Sequence, residues 1–136
     1  MSDSKIRKAF NDIVRGYGAT KGFQVELENG VSTPSLNKPY LKTYLGPAQT
    51  RTSTLAGDHK TYLGIFQIVI SVPAGEGTGR VTSIIDELQA LFPVYGRVSY
   101  DTNTVVIMTP IETLKGVVEG GSYSTPISFN YRSDTN

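Results

Sequence analysis

Residues 62–92 read YLGIFQIVISV, then PAGEGTG, then RVTSIIDELQALF. The first part predicts a strand. Tyr62, Phe66, Ile68, Ile70 and Val72 share one face, because side chains alternate along a strand. Leu63, Ile65 and Val69 make the other face apolar too, interrupted by Gln67 and Ser71. A strand apolar on nearly both faces belongs in the middle of a sheet, covered at least in part on both sides. Its span, about 36 Å at roughly 3.3 Å per residue, is long for a globular strand. Pro73 ends it, and Gly75, Gly77 and Gly79 permit the turn that follows. From about Thr78 to Phe92 the apolar residues Val81, Ile84, Ile85, Leu88, Leu91 and Phe92 recur with helical spacing. Arg80, Asp86, Glu87 and Gln89 fall on the wet side. Pro93 stops the helix. The stripe is expected to pack on the Phe66/Ile68/Ile70 face.

Working outward, a first helix is expected to about Arg15, ended by Gly16 and Gly18, with Ile6, Ala9, Phe10, Ile13, Val14 and Tyr17 inward. The bases Lys5, Arg7, Lys8 and Arg15 read as a solvated helix face. Gln24–Glu28 alternates as a short strand, 29–39 is a loop, and Tyr40–Leu45 alternates again. The polar run AQTRTSTLAGDHK carries no core pattern, and 46–60 is expected to be a projecting loop. A long hairpin arm is the other reading of that stretch. Downstream, Arg97–Tyr100 and Thr104–Ile111 read as a hairpin, and 115–121 as loop. Tyr123–Tyr131 alternates most cleanly, with Tyr123, Thr125, Ile127, Phe129 and Tyr131 on one face. Pro126 suggests an edge position there, and 132–136 a frayed tail. The expected fold is α+β, ordered α-β-β-β-α-β-β-β, in one domain over 1–136. Its mostly antiparallel sheet has both helices on one face. The opposite face, with Leu63, Ile65, Val69 and several tyrosines, is left without a cover from this chain, as interfaces are.

Composition narrows the function. The 136 residues carry a formal net charge of +1, far from a nucleic-acid footprint. With no cysteine, disulfides and thiolate metal sites are excluded, which fits a reducing compartment. No apolar run reaches the roughly 18 residues of a membrane span, and MSDSKIRKAF lacks a signal-peptide core, so synthesis in the cytoplasm is expected. His59, the single histidine, lies in a polar stretch beside Asp58 with no Gly-x-Ser-x-Gly turn anywhere, and reads as a solvated residue rather than a catalytic one. Asp86 and Glu87 are adjacent on a helix and do not converge on one atom. AGEGTGR lacks both the Walker lysine and the full dinucleotide spacing, so it reads as a connector, with Arg80 a weak anion candidate. The eight tyrosines have no accompanying basic stripe and read as sheet and interface residues rather than base-stacking platforms. No cofactor, metal or catalytic residue is expected.

Several stretches together resemble a known family. KIRKAF, QVELENG, KPYLKTYL, and STLAGDHKTYLGIFQIVISVPAGEGTGR followed by a helix ending ALFP are similar to the tail terminator (tail completion) proteins of long-tailed phages. Relatives of lambda minor tail protein U are among them. The match spreads from about Ile6 to Tyr131, and Glu28-Asn29-Gly30, Pro39-Tyr40-Leu41 and Gly64–Gly79 carry most of it. The resemblance implies a non-enzymatic virion protein of the tail, six copies of which form a ring on the tail tube. The ring would stop polymerisation and present a surface for head joining. It implies the tube protein, the head–tail connector protein and sibling copies as partners, with DNA passing through the lumen without specific binding. Near-neutral charge suits such a channel, since each neutralised phosphate adds affinity. A connector or tube subunit, and then a ligand-binding module, are the alternatives. Arg51, Thr52, Thr54, Asp58, His59, Lys60 and Lys38 are the expected partner contacts.

Overall fold

The computed structural model describes residues 3–26, 39–52, 60–73, 75, 79–100, 103–119 and 122–135. The elements are α1 (Asp3–Lys21), β1 (Gln24–Glu26), β2 (Tyr40–Thr52), β3 (Lys60–Pro73), α2 (Gly79–Leu91), β4 (Arg97–Tyr100), β5 (Asn103–Ile107), β6 (Glu112–Thr113), β7 (Val117–Glu119) and β8 (Ser122–Thr135). They form one mixed, mostly antiparallel sheet in the order β1-β2-β3-β8-β5-β4, with β6 and β7 also paired to β8. The α+β class and the expected element order hold, with β6 and β7 as short additions.

The strand of 62–72 is central, and longer than expected. Every residue of β3 from Lys60 to Pro73 has a partner in β8, from Thr135 back to Ser122. On its other side β2 pairs with it from Tyr40↔Ser71 to Thr52↔Lys60, with one irregularity between Pro47 and Gln49. The register stacks the inward residues into rows. Leu41, Ile70 and Thr125 form one, Thr43, Ile68 and Ile127 the next, and Leu45, Phe66 and Phe129 the third. All are buried.

Both helices cover that face. Phe10 of α1 lies with its ring centre 4.9 Å from Phe66, 5.3 Å from Phe129, 5.8 Å from Tyr131 and 6.0 Å from Phe92. Phe92, just beyond α2, is 5.1 Å from Phe129. Each such aromatic pair adds about 0.5–1.5 kcal/mol beyond the area it buries. Ile6 and Val14 flank Phe10 along the helix, and Val81, Ile84 and Leu88 form the inward stripe of α2, all buried.

Five expectations need correction. The first helix does not end at Gly16 or Gly18 but at Lys21. Gly22, at φ 75°, takes the left-handed position, and the Phe23 N–H donates to the Gly18 carbonyl at 2.8 Å, a Schellman closure. Gly18 serves packing instead: a Cβ there would collide with Val25 Cγ2. That close approach seats β1, which pairs parallel to β2.

The second correction concerns the expected projecting loop over 46–60. Residues 46–52 continue β2 and Lys60 begins β3, so a two-stranded arm reaches at least to the Thr52–Lys60 rung. Residues 53–59 lie outside the described residues. Third, residues 132–135 are not frayed. They continue β8 along β3, with β5 on the other side of Arg132 and Ser133, and there Thr61 donates from Oγ1 to Asp134 at 2.5 Å and Arg132 pairs with Asp134 at 3.1 Å. Fourth, β8 is interior rather than an edge, despite Pro126. In an antiparallel strand a residue's N–H and C=O point the same way. The Pro126 carbonyl accepts from Leu114 N at 2.9 Å, so its missing donor faces the gap between β6 and β7, and the β3 ladder loses nothing. Nor is 115–121 simply loop, since β7 occupies 117–119.

Two glycines should respond oppositely to alanine. At Gly64 a Cβ would stand 2.5 Å from the Tyr131 hydroxyl and 2.7 Å from the Gly46 carbonyl, so Gly64→Ala is expected to cost about 1–3 kcal/mol. Gly16 lies in the helix with nothing within 4 Å of that position, so Gly16→Ala is expected to gain roughly 0.5–1 kcal/mol. Urea unfolding of the two variants checks the contrast, and equal effects would contradict the packing described.

Candidate assembly surfaces

With the helices on one side, the reverse of the sheet is the largest surface to explain. Its rows follow from the same register. Glu26, Lys42, Val69 and Pro126 lie across one, Tyr44, Gln67 and Ser128 across another, Gly46, Ile65 and Asn130 across a third, and Leu63 and Arg132 across a fourth. Ile65 is 45% exposed, and Tyr40, Tyr44, Leu63 and Val69 are half-buried. The Lys42 ammonium stands 5.5 Å from the centre of the Tyr44 ring. Tyr44 first, and the Glu26 carboxylate after it, push the Lys42 pKa up. A face of aromatic and branched apolar residues dotted with single charges has the makeup of a protein–protein interface rather than of a core. Among the described residues this face leaves Ile65 exposed and most of its other side chains half-buried, with Ser71 and Thr61 buried, so it is amphipathic rather than uniformly apolar.

The sequence-derived contact residues fall into two groups. Arg51 and Thr52 end β2 and Lys60 begins β3, and Arg51↔Thr61 and Thr52↔Lys60 bring them to the last described rungs of the arm. Lys38, Thr54, Asp58 and His59 lie outside the described residues.

Other exposed apolar residues escaped sequence reading. Leu114, Val117 and Val118 are 46%, 55% and 67% exposed, along the broken strand that follows β5. The signal was the run LKGVVE, whose adjacent valines fit no alternation. Tyr95, 69% exposed, sits in a turn closed by Gly96 N to Pro93 O at 2.9 Å, and at φ 61° it holds a backbone shape that side chains seldom adopt. Its amide donates to Ile107 O at 2.7 Å and so fixes the turn to β5.

The surface offers little to chemistry. Between α1 and α2 runs an open trough of about 620 Å³, lined by Ile13, Gly16, Tyr17, Thr20, Ala90 and Leu91 among others. Lys21 and Glu87 bridge its two helices at 2.9 Å. Burial, followed by the Glu87 carboxylate, pushes the Tyr17 hydroxyl up to about 12, so it stays protonated at neutral pH and offers no phenolate. Among the described residues no group of three His, Asp or Glu side chains is placed to hold a metal, and no helix is long and apolar enough to cross a membrane. Of the glycine-rich turn, residues 74 and 76–78 lie outside the described residues, and Arg80 is exposed at the start of α2.

No curated protein matches the chain. One solved structure is similar over nearly its whole length, with a TM-score of 0.80 at 32% identity, covering 98% of this chain and 96% of the other. The family model described as phage tail terminator protein matches residues 5–131. The chain belongs to the phage tail terminator family, a family of structural proteins of the virion tail.

Proposed function

We propose that copies of this chain close as a ring on the end of the tail tube, stop tube polymerisation and present the surface to which the head connector joins. The observation that carries this reading is the two-sided character of the sheet. One face is sealed by two helices around an aromatic cluster. The other keeps Ile65, Leu63, Val69, Tyr40 and Tyr44 partly in water. A chain working alone gains nothing from that second face, whereas an assembling one uses it.

The far ends of β2 and β3 give the ring a polar contact surface. Arg51, Thr52 and Lys60 on their described rungs, with Lys38, Thr54, Asp58 and His59, are the residues we assign to tube or connector contact. Polar hydroxyls and isolated charges there suit a contact that is made after the tube is complete, where register counts for more than buried area. A net charge of +1 leaves the lumen without the dense basic lining that would hold passing DNA.

Electron microscopy of tails assembled with and without the chain tests the reading. Overlong, headless tails in its absence are expected. Tails of normal length that lack only a head would assign the chain to the connector instead. The open face has its own test. Ile65→Lys removes a side chain that is already 45% exposed, so melting should shift by no more than a few degrees. Tail-length control should nonetheless be lost in complementation. Intact control with this variant would remove the open face from the assembly.

A further inference from the structure

Of the outer strands of the sheet, β1 on one side and β4, β6 and β7 on the other, β1 and β7 carry the information for a specific seam between copies. Residue by residue across the register, Gln24 of β1 pairs Tyr40 of β2, Tyr40 pairs Ser71 of β3, Ser71 pairs Ser124 of β8, and Ser124 pairs Val117 of β7. The two short outer strands therefore stand at the same height along the strand direction, four strand spacings apart. Their directions are fixed by the same ladder. β1 runs parallel to β2, and β3, β8 and β7 each reverse the one before, so β7 runs opposite to β1.

Those two facts meet the requirements of a closed ring. A ring relates neighbours by rotation without rise. Two edges can pair across such a seam only when the rotation axis lies near the strand direction, and such a rotation preserves strand direction and height. The β7 edge of one copy then arrives level with the β1 edge of the next and antiparallel to it. Among the described residues neither outer edge has a strand partner.

The side chains agree. Val117 and Val118 are 55% and 67% exposed and, being consecutive, point to opposite faces of the sheet. An edge strand apolar on both faces invites another strand, and natural edges that must stay single carry charges or prolines instead. Charge supports the same alignment. Leu114 N donates to Pro126 O, and Val117 pairs Ser124, so Lys115 stands beside Thr125 and Pro126. Glu26 lies in the Pro126 row. The exposed Lys115 of one copy thus comes level with Glu26 of the next.

We propose that β7 of each copy adds to β1 of a second copy as an antiparallel strand, making the sheet continuous around the ring. The proposal rests on the ring reading above, and its test separates the two. The chain has no cysteine, so a Gln24→Cys, Val117→Cys double variant supplies the sole thiols. Within one copy the two positions lie about 19 Å apart, at roughly 4.8 Å per strand spacing, too far for a disulfide.

Mild oxidation of tails assembled with this variant should give a non-reducing gel ladder of covalent multimers that ends in a closed species. Each single variant should give dimers at most. Tails of normal length that carry the double variant but yield only monomer would overturn the seam and leave the terminator reading standing. Absence of the unmodified chain from tails would overturn both. As a second variant, Val118→Asp should melt like the unmodified chain, because its side chain is exposed, yet fail to be retained on tails. Normal retention of it would contradict the seam.

Discussion

Phe10 fixes the architecture. It is the residue through which α1 reaches β3, β8 and the end of α2 at once, and its ring contacts Phe66, Phe129, Tyr131 and Phe92. Because one aromatic cluster gathers both helices, both must lie on the same side of the sheet. The side that holds the cluster is closed to water, and the reverse side keeps Ile65, Leu63, Val69, Tyr40 and Tyr44 partly in water.

The same asymmetry explains the extremes of the sheet. Where helices cover it, the strands alternate strictly and the core residues are buried. At the far end β2, β3 and β8 run on beside the β4–β5 hairpin, held by backbone pairing and by small polar links such as Thr61 to Asp134. Along the outer side of β8 the partner strand breaks twice, giving β5, β6 and β7 in turn. At the first break Thr109 Oγ1 accepts from the Asn130 amide at 2.9 Å, so a side chain replaces the missing ladder bond. Such irregularities bend the strand and bring β7 out as a separate, apolar edge.

Legibility in the sequence followed burial. The β3–α2 unit, the inward stripe of α1 and the alternation of β8 from Tyr123 to Tyr131 could be read because one face of each is buried, and burial is what writes a period into a sequence. The strand ends at 46–52 and 132–135 carry no alternating apolar pattern, so threonine, glutamine and arginine there looked like loop. The end of α1 was misplaced because Gly16 and Gly18 looked like stops, while the true stop is the left-handed Gly22. The parallel pairing of β1 rests on the closeness of Gly18 to Val25, a contact that no local pattern announces. Among the sites, the open face was legible from Leu63, Ile65 and Val69. The β7 edge was not, because two adjacent exposed valines break the alternation by which strands are recognised.

The central claim is that the helix-free face of the sheet is a surface for other subunits. Hydroxyl-radical footprinting, read side chain by side chain by mass spectrometry on the free chain and on assembled tails, measures this directly. The account predicts that oxidation of Tyr40, Tyr44, Leu63 and Ile65 falls several-fold on assembly, while residues buried in the aromatic cluster stay unreactive in both states. Equal oxidation of those four residues in free and assembled protein would contradict it.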